Sequence, residues 1–138
     1  MKKRASAIAL AAASLSAAAF DGEALATFGG EYSSRCGDPA ALRIVVSKAG
    51  LTATRGKRAV TSKGAEEEQE FLADAPPDYA TALVGTQVEP HVAFAVLFFQ
   101  DTQGVYAQLA PDARLLSTLG LKRGDTTRYA RCRKKAAK

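Results

Sequence analysis

The chain has 138 residues, 47% of them hydrophobic and 24% charged, with a formal net charge of +5, two cysteines, one histidine and no tryptophan. That is enough chain for one domain with a modest core. Two distant cysteines and a single histidine exclude the clustered ligand set of a zinc site. The basic excess is partly a targeting feature, which weakens any nucleic-acid reading.

Residues 1–26 read as a secretory signal peptide. Lys2, Lys3 and Arg4 precede an alanine-rich apolar run through Leu15, and small-x-small cleavage sites follow at Ala19 and at Ala26. The run is shorter than the roughly 20 apolar residues of a membrane span, and no later segment is long enough to be one. Cleavage after Ala19 leaves a net charge of +2; cleavage after Ala26 also removes Asp21 and Glu23 and leaves +4. The mature chain is then expected to be one β-rich domain over 27–138, periplasmic or secreted, with no transmembrane segment. In an oxidising compartment Cys36 and Cys132, 96 positions apart, are expected to form one disulfide.

Short apolar runs separated by glycine-bearing turns follow. Leu42, Ile44 and Val46 alternate with Arg43, Val45 and Ser47, and Lys48-Ala49-Gly50 turns the chain into Leu51–Thr54. Gly56-Lys57 suits a tight hairpin with glycine at the first central position, leading into Arg58–Thr61. Gly64 to Asp78 breaks the pattern. It reads either as a short helix over Ala65–Leu72, ended by Pro76-Pro77, or as an irregular acidic loop, with Phe71 and Leu72 pinning it to the core.

Tyr79–Val84 returns to strand, and His91–Phe99 is the most apolar segment, apolar on both faces and so a central strand covered on both sides. Asp101-Thr102-Gln103-Gly104 has a type I turn signature and delivers Val105–Leu109. Pro111 suits the first position of a helix whose Leu115, Leu116 and Leu119 share a face and whose end Gly120 caps. Thr126–Cys132 is the last strand. The expected fold is mainly β, a small antiparallel barrel or sandwich of about seven strands with one or two short helices. The N-to-C-terminal disulfide closes it, and a frayed basic tail, 133–138, follows.

Charge is segregated along the chain: basic from Arg43 to Lys63, acidic from Gly64 to Ala113, and basic again from Arg114 with Asp125 the exception. His91 has no G-x-S-x-G nucleophile to serve, and no phosphate-cradling motif occurs. Glu66, Glu67, Glu68 and Glu70 lie in one polar run, whereas acid–base pairs need unlike, partly buried environments. A binding protein rather than an enzyme is expected, with no cofactor and no metal. Arg131, Arg133, Lys134, Lys135 and Lys138 offer an alternative contact with anionic surfaces, as in a structural envelope protein. Without tryptophan or an aromatic cluster, nucleic acid is not an expected partner. A hydrolase using His91 is the remaining alternative.

Glu31-Tyr32-Ser33-Ser34-Arg35-Cys36-Gly37-Asp38, then Leu42-Arg43-Ile44-Val45-Val46, with the closing Tyr129-Ala130-Arg131-Cys132, resembles the frame of the small bacterial periplasmic inhibitors of c-type lysozyme. The resemblance covers the two ends and the strand-rich plan, and it implies a compact antiparallel barrel. The family's internal serine-glycine-x-x-tyrosine loop and following tryptophan are missing, so it assigns no inhibitory residue here. Inhibition still suggests a surface: an acidic block attracts a cationic lysozyme-like hydrolase or toxin. The expected partner-binding residues are Glu66, Glu67, Glu68, Glu70, Asp74, Asp78 and Tyr79, beside the stiff Pro76-Pro77 element. An immunity protein belongs to the same class.

Overall fold

The computed structural model describes residues 23–133; most of the expected signal peptide (1–22) and of the basic tail (134–138) lie outside the described residues. Eight strands are arranged in one antiparallel sheet whose spatial order is the chain order. They are β1 (Gly30–Ser33), β2 (Arg43–Ser47), β3 (Gly50–Arg55), β4 (Arg58–Glu68), β5 (Tyr79–Glu89), β6 (Ala95–Asp101), β7 (Gly104–Leu109) and β8 (Tyr129–Ala130). Helices α1 (Glu23–Phe28) and α2 (Ala113–Thr118) flank them. The sheet curls until its first and last strands meet. Tyr32 bridges Arg131, the Cys132 amide donates to the Glu31 carbonyl at 2.6 Å, and the Cys36–Cys132 disulfide spans the same seam with Cα atoms 5.8 Å apart. The molecule is therefore a nearly closed barrel clasped near its termini. The additional strand, β1, has only Tyr32 as an apolar residue to announce it.

The β2–β4 meander follows the alternation of its apolar residues. Ile44, Val46, Leu51, Ala53 and Val60 turn inward and are buried, as a period of two requires. Gly56 stands first in the two-residue turn between paired Arg55 and Arg58 and has φ +62°, a conformation that costs an L side chain.

Where a helix or an irregular loop was expected from Ala65, the structure has strand: β4 continues to Glu68 because β5 is equally long. The register runs through Gly64↔Thr86 to Glu68↔Ala82. Backbone pairing overrides the helix propensity of the glutamates. Burial on β4 changes phase from Val60 and Ser62 to Ala65. The change falls opposite Gln87, whose φ of +51° interrupts the pleat of β5.

Strand β6 begins at Ala95 rather than His91; the residues after Pro90 make a turn in which the Val92 amide donates to the Pro90 carbonyl at 2.8 Å. Both faces of β6 are covered. Val96 and Phe98 join the barrel core, while Leu97 and Phe99 join a smaller cluster outside the barrel with Ala82, Leu72, Tyr79 and Tyr106. Phe98 is central: its ring centroid lies 4.8 Å from that of Phe28 and 5.7 Å from that of Tyr32. The Tyr32 hydroxyl donates to the Phe28 carbonyl at 2.6 Å, and burial pushes its pKa up to about 12.

Asp101 Oδ1 accepts from the Gln103 and Gly104 amides at 2.8 and 3.1 Å, closing the β6–β7 turn as its sequence predicts. Pro111 is not the first residue of α2: Asp112 caps the helix, its carboxylate accepting from the Arg114 and Leu115 amides, both at 3.0 Å, which leaves Pro111 one residue before the cap. Gly120, at φ +70°, ends α2 with two bonds, Gly120 N–H to Ser117 and Leu121 N–H to Leu116, at 3.0 and 2.8 Å. Leu115, Leu116 and Leu119 are buried in the barrel core. The last strand is shorter than 126–132 because the Asp125 side chain takes the Thr127 amide at 2.9 Å in a turn. Helix α1 spans the 26/27 boundary, with Ala24 and Phe28 buried. Arg131 ties down its end, donating to the Thr27 and Gly29 carbonyls at 2.7 and 3.1 Å.

The Thr81 hydroxyl is buried without a hydrogen-bond partner. Thr81→Val keeps the shape and removes the unsatisfied group, so it should raise stability by about 1 kcal/mol in a urea titration. A loss of stability would show that the hydroxyl is satisfied in solution.

Candidate functional site: the acidic β4–β5 loop

The residues expected to meet a partner are brought to one end of the barrel, on the β4–β5 hairpin. Glu66, Glu67 and Glu68 are exposed on the last turn-side residues of β4, and Glu70 and Asp74 are exposed in the connecting loop. Side chains of a strand alternate, so Glu66 and Glu68 lie on one face of the hairpin and Glu67 on the other. The carboxylates therefore surround the hairpin instead of tiling a single plane. Of the rest of the acidic block, Asp101 lies at this same end, just past Phe99, which pairs with Tyr79; Glu89 ends β5 at the far end of the hairpin, and Asp112 is used by α2.

Asp78 and Tyr79 differ from the other five. Asp78 pairs with Arg128, Oδ2 to Nη1 at 2.6 Å, and its carbonyl accepts from the Gln100 amide at 2.8 Å. Arg128 also lies flat over Phe99, 3.7 Å from the ring centroid. Tyr79 packs edge-on against Phe99 at 5.9 Å, and its amide donates to the Pro76 carbonyl at 3.0 Å. Its hydroxyl reaches the Glu68 carbonyl at 3.4 Å. Partial burial raises its pKa, and the charges of Glu68 and Glu67 add to the rise. These two residues anchor the loop: with Leu72, half-buried in the outer cluster, they fix its base against β6 while Pro76-Pro77 stiffens the return.

Phe71, expected to help pin this segment to the core, instead points outward. At 39% exposure it is the one large hydrophobic residue exposed among the described residues. Composition could not separate it from Leu72, because adjacent apolar residues in a loop face different ways only once the outer cluster has taken one of them. An open depression of about 390 Å³ on the preceding residues is lined by Glu67, Glu68, Gln69 and Glu70. The site thus offers an aromatic side chain among carboxylates on a loop held at its base. That arrangement suits recognition of a cationic surface with an apolar recess.

A larger cleft, about 750 Å³, lies beside the disulfide between Gly29, Gly30, Glu31 and the Arg131 and Arg133 side of the seam. His91 is exposed in the β5–β6 turn and lines neither cleft. Among the described residues no group of three His, Cys, Asp or Glu side chains could hold a metal ion. No helix among them is long and apolar enough to cross a membrane. The chain matches no protein-family profile, no curated protein and no solved structure.

Proposed function

We propose that this is a periplasmic or secreted binding protein that uses the acidic β4–β5 loop to inhibit a wall-degrading or toxic hydrolase, or to give immunity against one. The observation that carries this reading is Phe71, exposed on the same β4–β5 segment as the exposed Glu66, Glu67, Glu68 and Glu70, whose base is anchored by Asp78 and Tyr79. A pre-ordered loop loses little entropy on binding, an exposed aromatic supplies the buried anchor, and the carboxylates steer a cationic enzyme. Export fits signal cleavage after Ala19, because cleavage after Ala26 would remove Ala24 and Leu25, which pack on the core.

The oxidised protein should inhibit lysis of cell-wall substrate by a cationic lysozyme-like hydrolase, with inhibition weakening as salt rises. Phe71→Ala should weaken it by about thirtyfold, an aromatic anchor being worth about 2 kcal/mol. Reversing Glu66, Glu67, Glu68 and Glu70 to lysine should abolish it without changing the unfolding free energy by more than about 1 kcal/mol. If a panel of lysozymes and wall-directed toxins is unaffected by the wild-type protein, the reading is wrong.

A further inference from the structure

Two basic segments converge at the end of the barrel opposite the acidic loop. The β3–β4 hairpin carries Arg55, Lys57 and Arg58, the segment leaving α2 carries Lys122 and Arg123, and the two meet at Gly120. Arg55 Nη1 donates to the Leu119 and Gly120 carbonyls at 3.3 and 2.8 Å. A Cβ on Gly120 would stand 2.9 Å from Arg55 Nη1 and 3.0 Å from Arg58 Nε. Two guanidinium groups therefore share one corner, and glycine leaves them the space. Lys57, Arg58, Lys122 and Arg123 are all exposed.

Among the described residues, none of these five cations is in a salt bridge; the pairs are Arg35–Asp38, Arg43–Glu31 and Arg128–Asp78. The carboxylates nearest along the chain are engaged elsewhere. Asp112 caps α2, Asp125 accepts from the Thr127 amide at 2.9 Å, and Asp38 faces Arg35 at 3.7 Å. Glu89, opposite Thr61, is exposed at this end as well, but the five cations outnumber it; the excess positive charge repels itself, and an external anionic surface removes that repulsion. The 11 residues of β4 separate this end from the acidic loop, a span of about 35 Å.

We propose that this basic end is a docking surface for anionic lipid headgroups, which seats the domain with its acidic loop turned away from the bilayer. Each cation brought to such a surface contributes about fivefold to partitioning. The site is distinct from the β4–β5 loop and does not depend on what that loop binds.

The test uses the oxidised protein with vesicles of phosphatidylglycerol in phosphatidylcholine, and with phosphatidylcholine alone. The wild type should sediment with the first and not with the second. Lys57→Ala/Lys122→Ala/Arg123→Ala should lose about a hundredfold in partition coefficient, as three contributions of fivefold predict, and keep its unfolding midpoint. Lys134→Ala/Lys135→Ala/Lys138→Ala, matched in net charge, should lose no more than about fivefold. Equal losses in the two variants would reduce the effect to net charge and overturn the proposal. Millimolar inorganic phosphate should not compete; full competition would mean a free-anion site instead of a lipid surface. Since the chain has no tryptophan, Phe71→Trp provides a single tryptophan at the acidic end, which can be excited apart from the four tyrosines. Its emission should stay unchanged on vesicle binding, and a blue shift would overturn the orientation. Hydrolase inhibition is read separately, so failure of one proposal leaves the other standing.

Discussion

Cys132→Ser lowers the unfolding free energy by about 4 kcal/mol in the chain-entropy account of a loop this long, and reduction of the wild-type protein reproduces the loss. Cys36 and Cys132 are 96 positions apart, so the cross-link restricts nearly all of the described chain in the unfolded state. In the folded state it spans a seam otherwise held by the Tyr32–Arg131 bridge, the Cys132 amide to Glu31 bond and the Arg131 side chain on the Thr27 and Gly29 carbonyls. Both contributions act in the same direction. For a domain whose total stability is of the order of 5 to 15 kcal/mol, a loss of this size shifts the urea midpoint far down. Chemical denaturation of the oxidised, reduced and Cys132→Ser forms checks it, and a difference below about 1 kcal/mol would show that the seam is held without the clasp.

Phe98→Ala is the second large loss, about 3 to 5 kcal/mol. Phe98 is fully buried, and its ring meets Phe28 of α1 and Tyr32 of β1, the two elements that cover the seam from the N-terminal side. Removing it leaves a cavity between a helix and two strands that are tied by backbone pairing, so the site cannot collapse to fill it. Phe99, its neighbour on the outer face, touches Tyr79 and carries Arg128 over its ring. Phe99→Ala should therefore cost less and loosen the base of the acidic loop. Thermal and urea unfolding of the two variants separates the effects; equal losses would show that the inner and outer clusters act as one core.

The mainly β architecture, the turns at Gly56 and Asp101, the buried leucines of α2 and the disulfide were legible in the sequence because each rests on a local signal: alternation, a positive-φ glycine, an Asx turn, a helical spacing, a compartment rule. Strand β1 was not, since one tyrosine carries its only apolar signal and its identity comes from pairing with β2 and Arg131. The extension of β4 through Glu68 was not either, because three glutamates become strand only when β5 offers them backbone partners. At the candidate site, the carboxylates named from the sequence lie on the β4–β5 segment, and Tyr79, named with them, also packs on Phe99. Phe71, read with Leu72 as a contact pinning a helix to the core, is exposed. Only the outer cluster on β6, a tertiary feature, decides which aromatic the fold consumes.

The identity of sheet order and chain order also sets a timetable. As a chain threads outward from its N-terminus, each hairpin from β2 to β7 can form once its second strand has emerged, since every one of those pairings joins sequence neighbours. The β1–β8 seam is different: Arg131 emerges long after its partner Tyr32, after all of β2 to β7. Until then the barrel is an open sheet with two unsatisfied edges, the form in which strands are most exposed to other chains. Closure of the Tyr32–Arg131 seam thus ends the period in which this domain is vulnerable to misassembly.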